Sequence, residues 1–435
     1  MKTLDKEILR LAAPAIINNI TVPLLGLSDT AIAGHLGDAR YIGAMSVGAM
    51  MLNVVFWLAG FLRMGTTGLT AQSLGSGDKD GCREVLRKSL KLALGISLIV
   101  LVFQRPMLHL LLRLIAPEPE IAASASLYFN ILVWGVPAQL TIMAVSGWFI
   151  GLQTTTVPMA IAIAVNLVNI ALSLLLVFAF RLGFEGIAIG TLAANWLGAA
   201  GAVILARRRF RRLELNVSTG KRDGIRWRDL FSVNGNLFIR SACIMAVTLT
   251  VTSVGARLGS MTLAANAIIM QFFIFFSYFM DGFAFSGEAL AGRYSGAGEG
   301  RMVVRVMKRL AVWGAVMAVF FFSIYYFGTE GIARLLTDEE DVVRNVMKYR
   351  VWILLLPPVT VTAFIFDGIF VGLTRTRAMM AVTLVGAGAF FGAIYFAGDN
   401  LDNNVLWIAF ELYLFLRGAL LAGDFVLIKR KTLNL

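Results

Sequence analysis

Residues 9–34 read LRLAAPAIINNITVPLLGLSDTAIAG. About 20 apolar residues in a helix cross the hydrocarbon of a bilayer, and this run is long enough. Yet it carries a carboxylate, Asp29, two amides, Asn18 and Asn19, and two prolines, Pro14 and Pro23. A carboxylate in hydrocarbon costs on the order of several kcal/mol, so such a residue there needs a partner or a task. Asp29 follows Asn18 by eleven residues, which puts the two within roughly 20° of one helix face. A membrane helix with a polar side faces a cavity or another helix rather than lipid.

The run is not alone. Hydrophobic residues make up 58% of the chain and charged residues 15%, a membrane composition rather than a soluble one. Apolar spans are predicted near 9–34, 41–66, 89–104, 123–148, 157–180, 185–206, 231–256, 261–286, 308–328, 348–371, 379–397 and 405–428. The expected fold is therefore an all-α integral membrane protein with about twelve transmembrane helices. With the N-terminus inside, cytoplasmic segments hold roughly 27 Lys and Arg and outer segments about 9, which sets both termini in the cytoplasm. The net charge of +13 is then a record of orientation, not a sign of nucleic-acid binding. The richest basic segment, 207–230, contains RRRFRR and reads as a topology anchor between two halves. No cleavable signal peptide is expected, because the first apolar run is too long and lacks a small-residue cleavage site.

That segment also divides a repeat. AGHLGDARYIGA (33–44) matches GARLGSMTLAAN (255–266), SLGSGDKDGCREVLRKSL (73–90) matches YSGAGEGRMVVRVMKRL (294–310), and GWFIGLQTT (147–155) matches GIFVGLTRT (368–376). The offset between the matched stretches is constant to within a single position. Two six-helix lobes, 1–206 and 231–435, are expected to be copies related by a pseudo-two-fold axis along the membrane normal, a recurrent transporter plan. SLGSGDKDG is glycine-rich but lacks the Lys-Ser/Thr of a phosphate loop and recurs in the second copy, so it reads as a tight turn. Two cysteines, Cys82 and Cys243, make no disulfide framework.

Polar residues inside the spans are the candidate site. Asn166, Asn169 and Ser173 stand at i, i+3 and i+7, and Thr191 and Asn195 at i and i+4, so each set shares a helix face. With Asp29 and Asn18 they would offer carboxylate, amide and hydroxyl oxygens to one pocket; the plainer role for the amides is interhelical hydrogen bonding. Exclusion of water penalises a charged carboxylate, so Asp29 could take up a proton, and the same oxygens could hold Na⁺. In the second half, Asp281 and Glu288 share a face beside Ser277 and Tyr278, and Arg63 falls at an equivalent depth. An Arg63 pair with Asp281 or Glu288 would make a gate. Arg240, Asp367, Glu411 and Arg417 are further intramembrane charges. Arg240 could neutralise an acid of the second half, Asp367 reads as solvated near the inner boundary, and Glu411 and Arg417 face differently. His35 and His109 lie near outer ends without catalytic neighbours, which argues against an enzyme.

The stretches PAIINNITVPLLGLSDTAIAGHLGD, FLRMGTTGLTAQ, GARLGSMTLAANAIIMQFF and MDGFAFSGEALAG resemble those of the multidrug and toxic compound extrusion (MATE) family, in its DinF-like branch. The likeness covers essentially the whole chain. It implies two six-helix lobes arranged as a V, and efflux of cationic or amphiphilic compounds against entry of H⁺ or Na⁺. It assigns ion coupling to Asp29, Asn169 and Thr191 and helix bending to Pro14. Where many relatives carry an aspartate one turn after the asparagine, this chain has Ser173, which favours H⁺ over Na⁺. The DinF-like branch also carries the pattern of Asp281 and Glu288. A monomer in the plasma membrane, the inner membrane of a bacterium, is expected. It needs no cofactor beyond the coupling ion and works on small organic cations or amphiphiles by alternating access. A lipid-linked saccharide flippase is the nearest rival, disfavoured because its cavity would need several cations for pyrophosphate.

Overall fold

In hydrocarbon no water satisfies backbone N–H and C=O groups, so a chain this apolar must close its hydrogen bonds within each span. The computed structural model describes residues 2–36, 38–214 and 225–433, and helices account for nearly all of them. In order they are α1 (Lys2–Gly34), α2 (Ala39–Ala59), α3 (Phe61–Gly75), α4 (Lys79–Val102), α5 (Gln104–Ile115), α6 (Pro119–Leu132), α7 (Val136–Gly151), α8 (Thr156–Leu174) and α9 (Gly183–Glu214). Then follow α10 (Trp227–Arg257), α11 (Ser260–Gly296), α12 (Gly300–Leu336), α13 (Glu340–Lys348), α14 (Arg350–Gly372), α15 (Thr376–Ala397) and α16 (Asn403–Leu433).

Among the described residues, eleven helical stretches are long and apolar enough to cross a membrane. The protein is thus an all-α, multi-pass integral membrane protein. The predicted span 89–104 lies on α4, which is not among the eleven. Lys79, Asp80, Arg83, Glu84, Arg87, Lys88 and Lys91 all fall in the first 13 of its 24 residues, so only the remainder is apolar. Cys82 sits buried in the first turns of α4. The basic run 207–211 continues α9 as helix. Phe210 in that run lies under the guanidiniums of Arg83 and Arg87, with 5.2 and 5.1 Å to its centroid. The rest of the expected linker up to residue 224 lies largely outside the described residues.

The chain divides into two compact units, one of Ile17–Leu230 and one of Met1–Ile16 with Phe231–Leu435. The first turns of α1 belong with the C-terminal unit. There Asp5 takes Arg309 at 3.1 Å and the Trp313 indole at 3.3 Å, and the Ser286 hydroxyl donates to Ile8 O at 3.0 Å. The change of unit falls between residues 16 and 17, just after Pro14.

Each unit packs a central helix pair in the same way. In the N-terminal unit a Cβ added at Gly147 would lie 2.3 Å from Arg63 O, and one at Gly151 2.7 Å from Thr67 O. In the C-terminal unit a Cβ at Gly368 would lie 2.3 Å from Ala284 O, and one at Gly372 2.6 Å from Glu288 O. Every member of the second set follows its counterpart at the one offset of the sequence repeat. The glycines stand at i and i+4 and let α7 reach α3, and α14 reach α11, backbone to backbone, as small residues do where helices pack in lipid. The turns that follow also repeat. Gln153 and Thr374 take positive φ of 64° and 53°, and Gly77 and Gly298 of 73° and 75°.

Caps fix the helix starts. Asp78 accepts from Gly81 N at 2.7 Å to begin α4, and Asp38 accepts from Arg40 N at 2.9 Å to begin α2, the usual role of an N-cap carboxylate. Hydrogen bonds from the Arg40 side chain hold the Asp38 carboxyl below the usual carboxylate range. Arg40 also reaches Glu120 at 2.6 Å and ties the start of α2 to α6.

Candidate functional site

The second half of α1 brings Asp29 into the N-terminal unit, where the carboxylate is 5% exposed. Thr191 on α9 donates to Asp29 Oδ2 at 3.4 Å, a long hydrogen bond, and the second oxygen, Oδ1, is buried without a partner. Asn169 on α8 donates its amide to the Thr191 hydroxyl at 2.7 Å. The same hydroxyl lies 3.0 Å from Ile187 O, one turn back on its own helix. Asp29, Asn169 and Thr191 are therefore brought together as the sequence led one to expect. Ser173, one turn after Asn169, is fully buried; an added Cβ at Gly190 would lie 2.6 Å from its hydroxyl. Its hydroxyl and Asn169 Oδ1 are buried without partners.

The hydroxyl of Thr191 has one proton and two lone pairs. It accepts from Asn169, so one lone pair remains. If its proton goes to Ile187 O, the remaining lone pair is open to a donor, from Asp29 at 3.4 Å or from the Tyr128 hydroxyl beside it. A protonated carboxyl is such a donor; an ionised one is not. An ionised Asp29 instead draws the Thr191 proton away from Ile187 O. The state of Asp29 thus decides whether Thr191 bonds to α1 or to its own backbone.

Sequence reasoning missed Tyr128 on α6, a 3% exposed residue whose hydroxyl lies beside Thr191 and within reach of the Asp29 charge. Gly48 makes room for its ring, since a Cβ there would come within 2.7 Å. One tyrosine in an apolar span gives no sign of what it faces. No Lys or Arg pairs with Asp29 among the described residues, and no cluster of His, Cys, Asp and Glu there could hold a metal ion.

Asn18 does not join the site. It lies on the same side of α1 as Asp29 but about 16 Å away along the axis, and its amide points to Asn19 Oδ1 at 3.4 Å. Asn166 is also elsewhere: it donates to Thr21 O at 2.8 Å and binds α8 to the backbone of α1 two turns before Asp29. His35 is exposed and bonds Ala31 O at 2.8 Å. Pro14 lies within α1, where its ring nitrogen cannot donate to Arg10 O.

The C-terminal unit has a separate charge cluster. Asp367 on α14, expected to be solvated, is 7% exposed, and its Oδ2 accepts from Arg240 on α10 and from Arg417 on α16, the latter at 2.5 Å. Arg240 does meet an acid of the second half. Glu411 is buried with neither oxygen hydrogen-bonded. Glu288 is 1% exposed and Asp281 half-buried, both on α11, and half-buried Arg63 lies on α3 of the other unit.

Comparison with known proteins gives this arrangement a family. The MatE model matches the chain twice, over residues 14–175 and 237–394. The chain belongs to the MatE family. It is 33% identical to the DNA damage-inducible protein F of Escherichia coli (strain K12) over 423 residues, 96% of this chain and 91% of that one. It is 25% identical over 356 residues to a probable multidrug resistance protein NorM of Thermotoga maritima, 78% of this chain and 73% of the other. Among solved structures, the Vibrio cholerae MATE transporter VcmN in the bent form has a TM-score of 0.84 at 16% identity, covering 99% of this chain and 98% of that one. A MOP superfamily transporter from Pyrococcus furiosus, described by the words "reverse polarity of binding pocket suggests different function", has a TM-score of 0.82 at 18% identity and covers 99% and 96%. This MatE protein is a DinF-like membrane transporter of the efflux type, and not an enzyme.

Proposed function

We propose that this MatE transporter is an ion-coupled antiporter that takes up H⁺, rather than Na⁺, at Asp29 and exports amphiphilic organic compounds by alternating access. The observation that carries the reading is Asp29 itself: a carboxylate 5% exposed, met by one hydroxyl at 3.4 Å, with its other oxygen unpartnered. A proton on Asp29 satisfies the free lone pair of Thr191 and leaves the Thr191–Ile187 bond intact. Loss of the proton costs that bond or leaves the carboxylate bare. The link between α1 and α9 therefore changes with occupancy, and coupling requires such a difference between states. Pro14 and Pro23 delete backbone hydrogen bonds and give α1 two places to bend. Na⁺ would call on Asp29, Asn169 and Thr191, but the Thr191 oxygen already takes the Asn169 amide at 2.7 Å, and Ser173 supplies no second charge. Of the cationic and amphiphilic cargoes that the family resemblance implies, the amphiphile is retained, because the Arg240 and Arg417 cluster repels a cation.

The test is reconstitution in liposomes with a pH gradient and a Na⁺ gradient imposed separately. Efflux of a fluorescent amphiphile under the pH gradient alone is expected. Efflux under the Na⁺ gradient alone overturns the choice of ion, and efflux indifferent to both overturns antiport.

A further inference from the structure

The cluster on α10, α14 and α16 plays no part in the ion site. Arg240, Asp367 and Arg417 are 6%, 7% and 7% exposed. Both guanidiniums converge on one oxygen, Asp367 Oδ2, and among the described residues neither arginine pairs with another carboxylate. Two positive charges share one negative charge within apolar spans. The Nε of each arginine is buried without an acceptor. Tyr413 lies with its ring centroid 5.4 Å from the Arg417 guanidinium, and its buried hydroxyl sits beside that group without completing a hydrogen bond. Glu411 does not balance the pair. Six residues before Arg417, it lies about 120° away around α16, and its oxygens make no hydrogen bond.

A structural ion pair needs one arginine for one aspartate. The second arginine adds the cost of desolvating a charge and brings no counter-charge with it. Ionisable groups kept inside a span under such conditions mark a binding path. Guanidinium forks suit the oxygens of carboxylates, sulfonates and phosphates. We propose that Arg240, Arg417 and Tyr413 bind the acidic head of an amphiphile, with Asp367 holding the two guanidiniums apart and in register. The inference rests on the efflux reading for the claim that this amphiphile is cargo. The anion site itself is independent of Asp29.

Isothermal titration of the full-length protein in phosphatidylcholine nanodiscs, with dodecanesulfonate and with dodecyltrimethylammonium, tests it. The sulfonate is expected to bind at least tenfold more tightly than the ammonium. Arg417→Gln leaves a neutral Arg240–Asp367 pair and should erase the preference; Arg240→Gln should do the same from the other side. Arg417→Lys keeps the charge without the fork and should retain the preference at lower affinity. Equal affinity of the wild type for both probes, or a preference that survives in both Gln variants, overturns the proposal. Discs containing phosphatidylglycerol separate two sources of the head group: a weaker apparent sulfonate affinity assigns the site to a resident lipid, and an unchanged one to a dissolved amphiphile. Asp29→Asn should keep the preference while losing gradient-driven efflux. Efflux without ion coupling would therefore sink the antiport reading and leave this one standing.

Discussion

Asp29→Asn is the sharpest perturbation, because it keeps the volume of the side chain and removes only its ability to ionise. The carboxylate has one weak donor, Thr191 at 3.4 Å, and one bare buried oxygen. A buried acceptor left without a donor costs about 1–3 kcal/mol, and a charged one costs more. If a proton relieves that cost in the enclosed state, it biases one state of the transporter over the other by about 1–3 kcal/mol, which is roughly 5- to 150-fold. The amide of Asn can donate to Thr191 Oγ and mimic the protonated form permanently. The variant is expected to insert normally and to melt no earlier than the wild type in detergent, since it relieves rather than creates an unsatisfied acceptor. In proteoliposomes with an imposed pH gradient, its efflux should fall by about tenfold or more, toward the leak of empty vesicles. Efflux within about twofold of wild type, at equal reconstitution, would refute the reasoning, because Asn169, Ser173 and Thr191 beside it carry no carboxyl that could take over the proton.

Three further outcomes follow from the same geometry. Thr191→Val removes the acceptor of the Asn169 amide and should cost about 1–3 kcal/mol in thermal unfolding along with gradient-driven efflux, while Thr191→Ser should keep both. Gly151→Ala and Gly372→Ala each push a Cβ to within 2.7 and 2.6 Å of backbone oxygens that cannot swing aside; each should cost about 1–3 kcal/mol, whereas Gly26→Ala, with nothing within 4 Å, should change melting little. Asp367→Asn strips two buried guanidiniums of their shared counter-charge and should destabilise by about 3–5 kcal/mol; Arg417→Gln leaves one arginine for one aspartate and should melt much closer to wild type.

The direction in which a side chain points was easier to read from the sequence than its depth or its distant partners. Helical spacing placed Asn169 and Thr191 on polar faces, and burying a carboxylate is costly enough that Asp29 had to find them. The same spacing misplaced Asn18. It shares a side of α1 with Asp29, but periodicity fixes azimuth and leaves the distance along the axis uncounted. Asn166 shares a face with Asn169, yet one turn is enough to move it from the Thr191 hydroxyl to the backbone of α1 at Thr21. Asp367 looked solvated because it stands near the end of its apolar run. Its burial comes from Arg240 and Arg417, 127 and 50 residues away, and no local pattern reports such a meeting. Tyr128 is the same case in a milder form.

The two copies show which features of the repeat are free to diverge. Gly147 with Gly151 and Gly368 with Gly372 are held alike because backbone touches backbone there, and any side chain would part the helices in either copy. The charges obey no such constraint. Val251, the counterpart of Asp29 in the repeat, is 1% exposed and apolar, so the C-terminal copy has no acid where the N-terminal copy has Asp29. Arg240, the counterpart of Asn18, puts a cation where the N-terminal copy has an amide. A lone carboxylate in one unit and paired guanidiniums in the other are costly in opposite senses, and neither helps the shared packing. On the proposed function and the proposed anion site, separate ligands would give each a reason to persist: a proton for the acid, and an acidic head group for the arginines. On that account an arginine placed at Val251 would not recreate an ion site, and an aspartate there would not recreate one either unless Thr191 and Asn169 had counterparts facing it. In the second copy Phe390 takes the position that corresponds to Asn169, so the amide half of the network is missing.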